Sequence, residues 1–180
     1  MQTVEVNAAT PEDAAELAAV AAATFPLACP PSADPGDIAA FIATTLSQQN
    51  FTGYLADPGR TVLTARAGGR IIGYAMLVCG VGDDPAVARA VRQRPAVELS
   101  KMYVLADHHR SGAAAALMES GLGWAAKSGA HAVWLGVNQK NERAQRFYRK
   151  HGFEMTGERS FRLGDGLECD FVMVREMERS

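Results

Sequence analysis

The sequence predicts one mixed α/β domain, a mostly antiparallel sheet of about seven strands flanked by about four helices. Three local signals carry that expectation. Residues 97–104 alternate β-formers with polar residues, while Ala113–Lys127 repeats apolar residues at helical spacing, so the period changes across the short loop between them. Gly68 and Gly69 sit between two apolar runs, which is a strong hairpin signal. Residues 131–137 form an uninterrupted apolar run of the kind found in strands buried on both faces.

Taken in order, residues 3–8 read as a first strand. Thr10, Pro11, Glu12 and Asp13 then supply a cap, a proline for the first turn and acids for the positive end of the helix dipole, opening a helix to about Phe25. Pro26, Pro30 and Pro31 argue for a structured loop over 25–31. Asp34 restarts a helix to about Gln49, with Ile38, Phe41, Ile42 and Leu46 on one face. Residues 61–66 and 70–78 are the strands of the Gly68-Gly69 hairpin. Residues 83–96 read as a short helix opened by Asp84-Pro85 and closed before Pro95. After the central strand, loop and helix comes the apolar strand 131–137. A helix over 141–150 follows, capped by Asn141 and stopped by Gly152, and a second hairpin spans 153–163 and 167–175. A single domain with its core over about 3–175 accommodates all of this, and no repeat or low-complexity linker interrupts it.

Composition narrows the function classes. Of 180 residues, 48% are hydrophobic and 21% charged, the balance of a globular chain with a core rather than a disordered one. Cys29, Cys79 and Cys169 are odd in number and lack ligand spacing, so neither a zinc site nor a disulfide framework is expected, and a reducing cytoplasm fits. The first residues lack a signal-peptide pattern and no apolar run is long enough for a membrane span. Net charge is −2, which gives no basis for nucleic-acid binding. Seven of the 20 acids (Glu5, Glu12, Asp13, Glu16, Asp34, Asp37, Asp57) and none of the 18 Lys and Arg lie in residues 1–59. The remainder therefore carries a balance of +5, and the asymmetry would suit a cationic acceptor at one end and a polyanionic cofactor at the other. Composition drift with solvated faces is the competing explanation.

The loop between the central strand and helix concentrates the chemistry. A helix start leaves backbone N–H groups unpaired, and the helix dipole adds partial positive charge. Gly112 lets a bulky anion approach, and Arg110 places a permanent charge beside it, so a diphosphate is the expected ligand. The run His109, Arg110, Ser111, Gly112, Ala113, Ala114 after a strand ending Met102-Tyr103-Val104 resembles the Gln/Arg-x-x-Gly-x-Gly/Ala signature of the GNAT superfamily of N-acetyltransferases, which binds the pyrophosphate of acetyl-CoA. His109 departs from the usual Gln or Arg, and Ala114 is the rarer choice at its position. A second block, Asn141 to Tyr148 with Gly152-Phe153, is similar to that family's Asn-x-x-Ala-x-x-Phe-Tyr-x-x-x-Gly-Phe pattern. The order of elements agrees over nearly the whole chain.

The resemblance implies an acetyl-CoA-dependent N-acetyltransferase acting on a primary amine of a small cationic molecule or peptide by direct attack in a ternary complex. It implies a V-shaped splay between the fourth and fifth strands, with the backbone of Met102, Tyr103 and Val104 pairing the pantetheine arm. His109 to Ala115, Ala115 included, would hold the pyrophosphate, and Asn141 would touch the cofactor from the other side. Tyr148 would protonate the departing thiolate; packing in the core is its bland alternative. Glu98, where several members keep a general base, would take the ammonium proton; an ion pair at the strand's edge is the alternative. Alternation would place residues 98, 100, 102 and 104 on one face. No histidine has a partner at metal-ligand spacing. Transfer of another acyl chain, a non-catalytic CoA-binding module, and a homodimer in place of a monomer stay open.

Overall fold

The computed structural model describes residues 2–178, the side chain of Phe161 excepted. Seven strands form one sheet among these residues: β1 (Glu5–Ala8), β2 (Arg60–Ala67), β3 (Arg70–Cys79), β4 (Ala96–Val104), β5 (Ala132–Asn138), β6 (Glu154–Leu163) and β7 (Gly166–Glu176). Their spatial order is β1-β2-β3-β4-β5-β7-β6. Every pairing is antiparallel except that of β4 with β5. That parallel pairing covers Ala96 to Glu98 against Ala132 to Trp134 and then stops. The two strands diverge beyond it, and this is the splay that the resemblance implies.

Among the described residues six α-helices, rather than about four, flank the sheet: α1 (Ala14–Ala28), α2 (Pro35–Thr45), α3 (Gln48–Ala56), α4 (Pro85–Ala90), α5 (Ala113–Lys127) and α6 (Glu142–Lys150). Three sequence expectations about them need correction or completion. The loop expected from Phe25 is helical through Ala28, with Pro26 inside α1. The ring removes one N–H in the last turn only, and the carbonyl it leaves without that donor belongs to Ala22, on the exposed side of the helix. Burial of Thr24 and Phe25 holds the turn in place. The helix expected over 34–49 is in fact two. Leu46 leaves helical geometry at φ −121°, and the Ser47 hydroxyl accepts from Asn50 N at 3.1 Å to cap α3. The segment 83–96 does contain a short helix, capped by Asp84, whose Oδ1 accepts from Ala86 N at 2.9 Å.

Helices cover both faces. Under α5, Leu117 and Met118 pack on Leu77, Leu99, Val133, Leu135 and Met173. On the other face α1 and α3 bury Leu17, Phe25 and Phe51 against Tyr74 and Met76, while α4 sets Val87 and Val91 against Trp134, Val172 and Val174. Burying each such side chain fully contributes roughly 1.5–3 kcal/mol.

One irregularity decides the site. The β3–β4 register pairs Met76 with Lys101 and Leu77 with Leu99, so Ser100 is an extra residue on β4. Alternation shifts by one there. Val97 and Leu99 before the bulge, and Met102 and Val104 after it, pack under α5. Glu98, Lys101 and Tyr103 consequently line the opposite face, so residues 98, 100, 102 and 104 do not share a face as simple alternation suggests.

Candidate active site

Two cavities open where β4 and β5 separate. One, of about 170 Å³, lies on the α1–α2 face and is lined by Glu98, Lys101 and Tyr103 of β4 with Arg159, Glu168 and Asp170 of the last hairpin. The other, of about 320 Å³, runs between Met102, Tyr103 and Val104, the start of α5 and the inner side of α6. They share Ala28, Tyr103, Asn141, Ala144 and Tyr148. A group bound in one can therefore approach a group bound in the other along this shared wall.

The second cavity has the features of an anion cradle continued by an open strand edge. Gly112 caps α5 at φ +85°, where an L side chain is strained. Ala116 N donates to Gly112 O at 3.0 Å, while the amides of Gly112, Ala114 and Ala115 donate to nothing among the described residues. His109, Gly112, Ala114 and Ala115 line the space. Ala113 is turned into the core at 1% exposure, and Arg110 and Ser111 are exposed on the loop. His109 does more than cap: its Nε2 lies 2.8 Å from Val104 O and its Nδ1 3.2 Å from Arg143 Nη2. Arg143 can only donate, so Nδ1 accepts and Nε2 carries the proton. The ring thereby ties the end of β4 to α6. Beyond Glu98, β4 has no strand partner on its β5 side, which leaves a stretch of backbone open to an extended ligand. Asn141 caps α6 through Oδ1, which accepts from Ala144 N at 3.1 Å, and lines both cavities.

In the first cavity burial sets the chemistry. Burial raises the Glu98 carboxyl above its usual range, against the pull of Arg159, Lys101 and Arg60. Burial lowers the Lys101 ammonium, against the attraction of Glu98. Tyr148 is pushed up to about 12 by burial alone, so its phenol stays protonated through the neutral range, and its ring packs edge-on to Phe147 and Phe153. Burial drives Tyr103 up as well. Arg159 Nε meets Asp170 Oδ2 at 3.4 Å, and its guanidinium lies 5.5 Å from the Trp134 ring centroid. Lys101 Nζ stands 5.8 Å from the centroid of Phe41, which stacks on Phe25 at 4.5 Å.

The structure thus brings Glu98 and Tyr148 to one cavity, and Met102, Tyr103, Val104, His109, Gly112, Ala114, Ala115 and Asn141 to the cavity beside it. Sequence reasoning missed Lys101, Arg143, Arg159 and Asp170. Gly136 was the available signal, a glycine inside an apolar strand marking close approach of something else. A Cβ there would clash with the Arg159 guanidinium.

The seven acids of residues 1–59 do not line the first cavity. Asp13 meets Arg66 at 2.6 Å, Glu16 accepts from Ile71 N at 2.8 Å, Asp34 caps α2, and Asp57 pairs with Arg60 at 3.1 Å. Four of the seven are thus engaged in caps and pairs.

Residues 25–153 match the model of the acetyltransferase (GNAT) family. The chain belongs to that family. An uncharacterised N-acetyltransferase of Mycobacterium tuberculosis is 57% identical over 165 residues, covering 92% of this chain and 98% of that protein. Another, from Lactobacillus delbrueckii subsp. lactis, is 26% identical over 181 residues and covers 98% and 99%. Among solved structures, the PaiA N-acetyltransferase of Thermoplasma acidophilum in complex with coenzyme A superposes with a TM-score of 0.76 at 18% identity, covering 97% of this chain and 99% of that one. The ribosomal-protein-S18-alanine N-acetyltransferase of Escherichia coli gives 0.70 at 18%, covering 99% and 96%. This GNAT N-acetyltransferase therefore carries the fold of its relatives from β1 to β7, with both motif blocks at the fork. No helix of the described residues is long and apolar enough to cross a membrane.

Proposed function

We propose that this N-acetyltransferase uses acetyl-CoA and transfers the acetyl group directly to a primary amine while both are bound. The observation that supports this reading is the meeting of the two cavities at Tyr148 and Tyr103. Acetyl-CoA supplies the activated thioester. The amides of Gly112, Ala114 and Ala115 and the charge of Arg110 suit its pyrophosphate, and the unpaired side of β4 from Met102 to Val104 suits its extended arm. Glu98 accepts the ammonium proton, directly or through water, and a carboxyl raised by burial is better matched to that task near neutral pH than an ordinary one. The amine nitrogen then bonds to the acetyl carbon, the carbon–sulfur bond breaks, the Tyr148 hydroxyl gives its proton to sulfur, and the second proton shed by the new amide nitrogen returns to the tyrosinate, directly or through water. A phenol near 12 is a weak acid toward a thiol of ~8.5, but the same dry surroundings penalise the thiolate, which narrows the gap. The three cysteines are unpaired, and a reducing cytoplasm is the compartment we propose.

The test is thiol release from acetyl-CoA across a panel of amines, with calorimetry for acetyl-CoA and CoA. Binding with amine-dependent release supports the reading. Tight binding without release from any amine would point to a CoA-binding module, and faster release from a longer acyl-CoA would point to a different donor.

A further inference from the structure

The acceptor cavity holds two cations whose hydrogen-bonding capacity the protein leaves largely unused. Arg159 starts on the edge strand β6, crosses β7 and lies over β5. Gly136 makes that path open, Trp134 supports the guanidinium plane and Asp170 fixes its Nε. A guanidinium has five donors, and only the Nε donor has an acceptor among the described residues. Lys101 reaches the same cavity because the Ser100 bulge turns it there. Its ammonium has neither an ion pair nor a hydrogen bond among the described residues and meets only the Phe41 ring. Glu98 lies near both but within ion-pair distance of neither. Lys101 has no bonded counter-charge and Arg159 has a single contact with Asp170; holding half-buried cations with so few acceptors is costly, and a ligand that brings acceptors to both recovers part of that cost. The cavity of about 170 Å³ equals the share of roughly five or six waters, so the ligand group is small.

Resting on the acetyltransfer reading above, we propose that the acceptor bears a carboxylate close to its reacting amine, in the manner of a small amino acid, and that Arg159 and Lys101 bind this carboxylate while Glu98 faces the amine. The planar fork of an arginine matches a carboxylate in a two-bond contact, and the fixed guanidinium loses little freedom on binding. The position of Arg159 is built in by three separate strands, which a solvated surface arginine would not need. Plain amines and polyamines leave Lys101 unpaired and the outer donors of Arg159 without an acceptor, and bring further positive charge to them.

The experiment compares kcat/KM for small amino acids with their carboxamides and with the corresponding decarboxylated amines, by thiol release. The carboxylate should raise kcat/KM by at least about tenfold, equivalent to ~1.4 kcal/mol. In Arg159→Gln and Lys101→Gln the preference should collapse through a higher KM for the acid, with acetyl-CoA affinity unchanged by calorimetry. Arg159→Lys, which keeps charge without the fork, should recover part of it. Gly136→Ala is an independent variant, since its Cβ displaces the guanidinium without removing it, and it should reproduce Arg159→Gln. Thermal melts establish that each variant is folded. Equal or better turnover of carboxamides or plain amines, or an unchanged preference in folded Arg159→Gln, overturns this inference and leaves acetyltransfer standing. Absence of release from every amine, with acetyl-CoA bound, overturns acetyltransfer itself and the carboxylate proposal with it.

Discussion

At the scale of single residues, Tyr148 carries the sharpest claim. Its ring is packed by Phe147 and Phe153, the residue lines both cavities, and its hydroxyl has no hydrogen-bond partner among the described residues. Tyr148→Phe keeps the packing and removes only the acid. Acetyl-CoA affinity should hold while the single-turnover rate falls by about 10²- to 10⁴-fold. A structural tyrosine predicts a different result, a loss on the order of 1 kcal/mol in stability at most and a rate near wild type. The placement of Tyr148 and Glu98 at the fork was legible from sequence because each sits in a local pattern of the resembled family. Arg159 and Lys101 were not, since one depends on a path across three strands and the other on a one-residue bulge. The bulge leaves no mark in local composition, and the path across the strands leaves only Gly136. The summed acidity of residues 1–59 is an incomplete guide for a related reason: charge counts ignore partners, and Arg66 and Arg60 lie just beyond the acidic stretch and neutralise part of it.

At the scale of elements, the strand, loop and helix from β4 to α5 were readable because periodicity, glycine and a motif coincide there. Ala113–Lys127 has the predicted ends. The region between β1 and β2 was less readable, because proline penalties are averages. Pro26 is tolerated where the helix has almost ended, and the break at Leu46 rests on a buried side chain and a serine cap rather than on a strong breaker. The cradle offers its own test. Nothing lies within 4 Å of a Cβ built at Gly112, so a substitution meets strain from φ +85° rather than a clash. Gly112→Glu should cost ~1–2 kcal/mol in stability from the left-handed backbone. It should also weaken CoA binding far more, since a carboxylate then faces the site of the pyrophosphate. Calorimetry with CoA and a thermal melt read the two effects separately, and unchanged CoA affinity in a folded variant would place the cradle elsewhere.

At the scale of the whole molecule, the ionisation of Glu98 is set by charges gathered from distant parts of the chain. Burial at the fork raises its carboxyl above the ordinary 4.5, while Arg159 from β6, Lys101 from β4 and Arg60 from β2 pull it back in that order. If Glu98 accepts the amine proton, activity requires its ionised form. The rate is then full above the folded-state pKa and falls as pH drops through it, so the acidic limb of kcat/KM should lie above pH 4.5. Removing the largest opposing charge leaves desolvation less checked. Arg159→Gln should therefore move that limb to higher pH, and part of its deficit should be recovered on the alkaline side. The acceptor's own amine adds a limb at its solution pKa, but that limb is common to both enzymes, so the difference between them isolates Glu98. Glu98→Gln should abolish the movable limb altogether. The measurement is kcat/KM against pH for the three proteins on one acceptor, with circular dichroism to confirm folding across the range. A wild-type limb at or below 4.5, or limbs that coincide in wild type and Arg159→Gln, would mean that the proton leaves by another route and that the charges meeting at the fork serve binding alone.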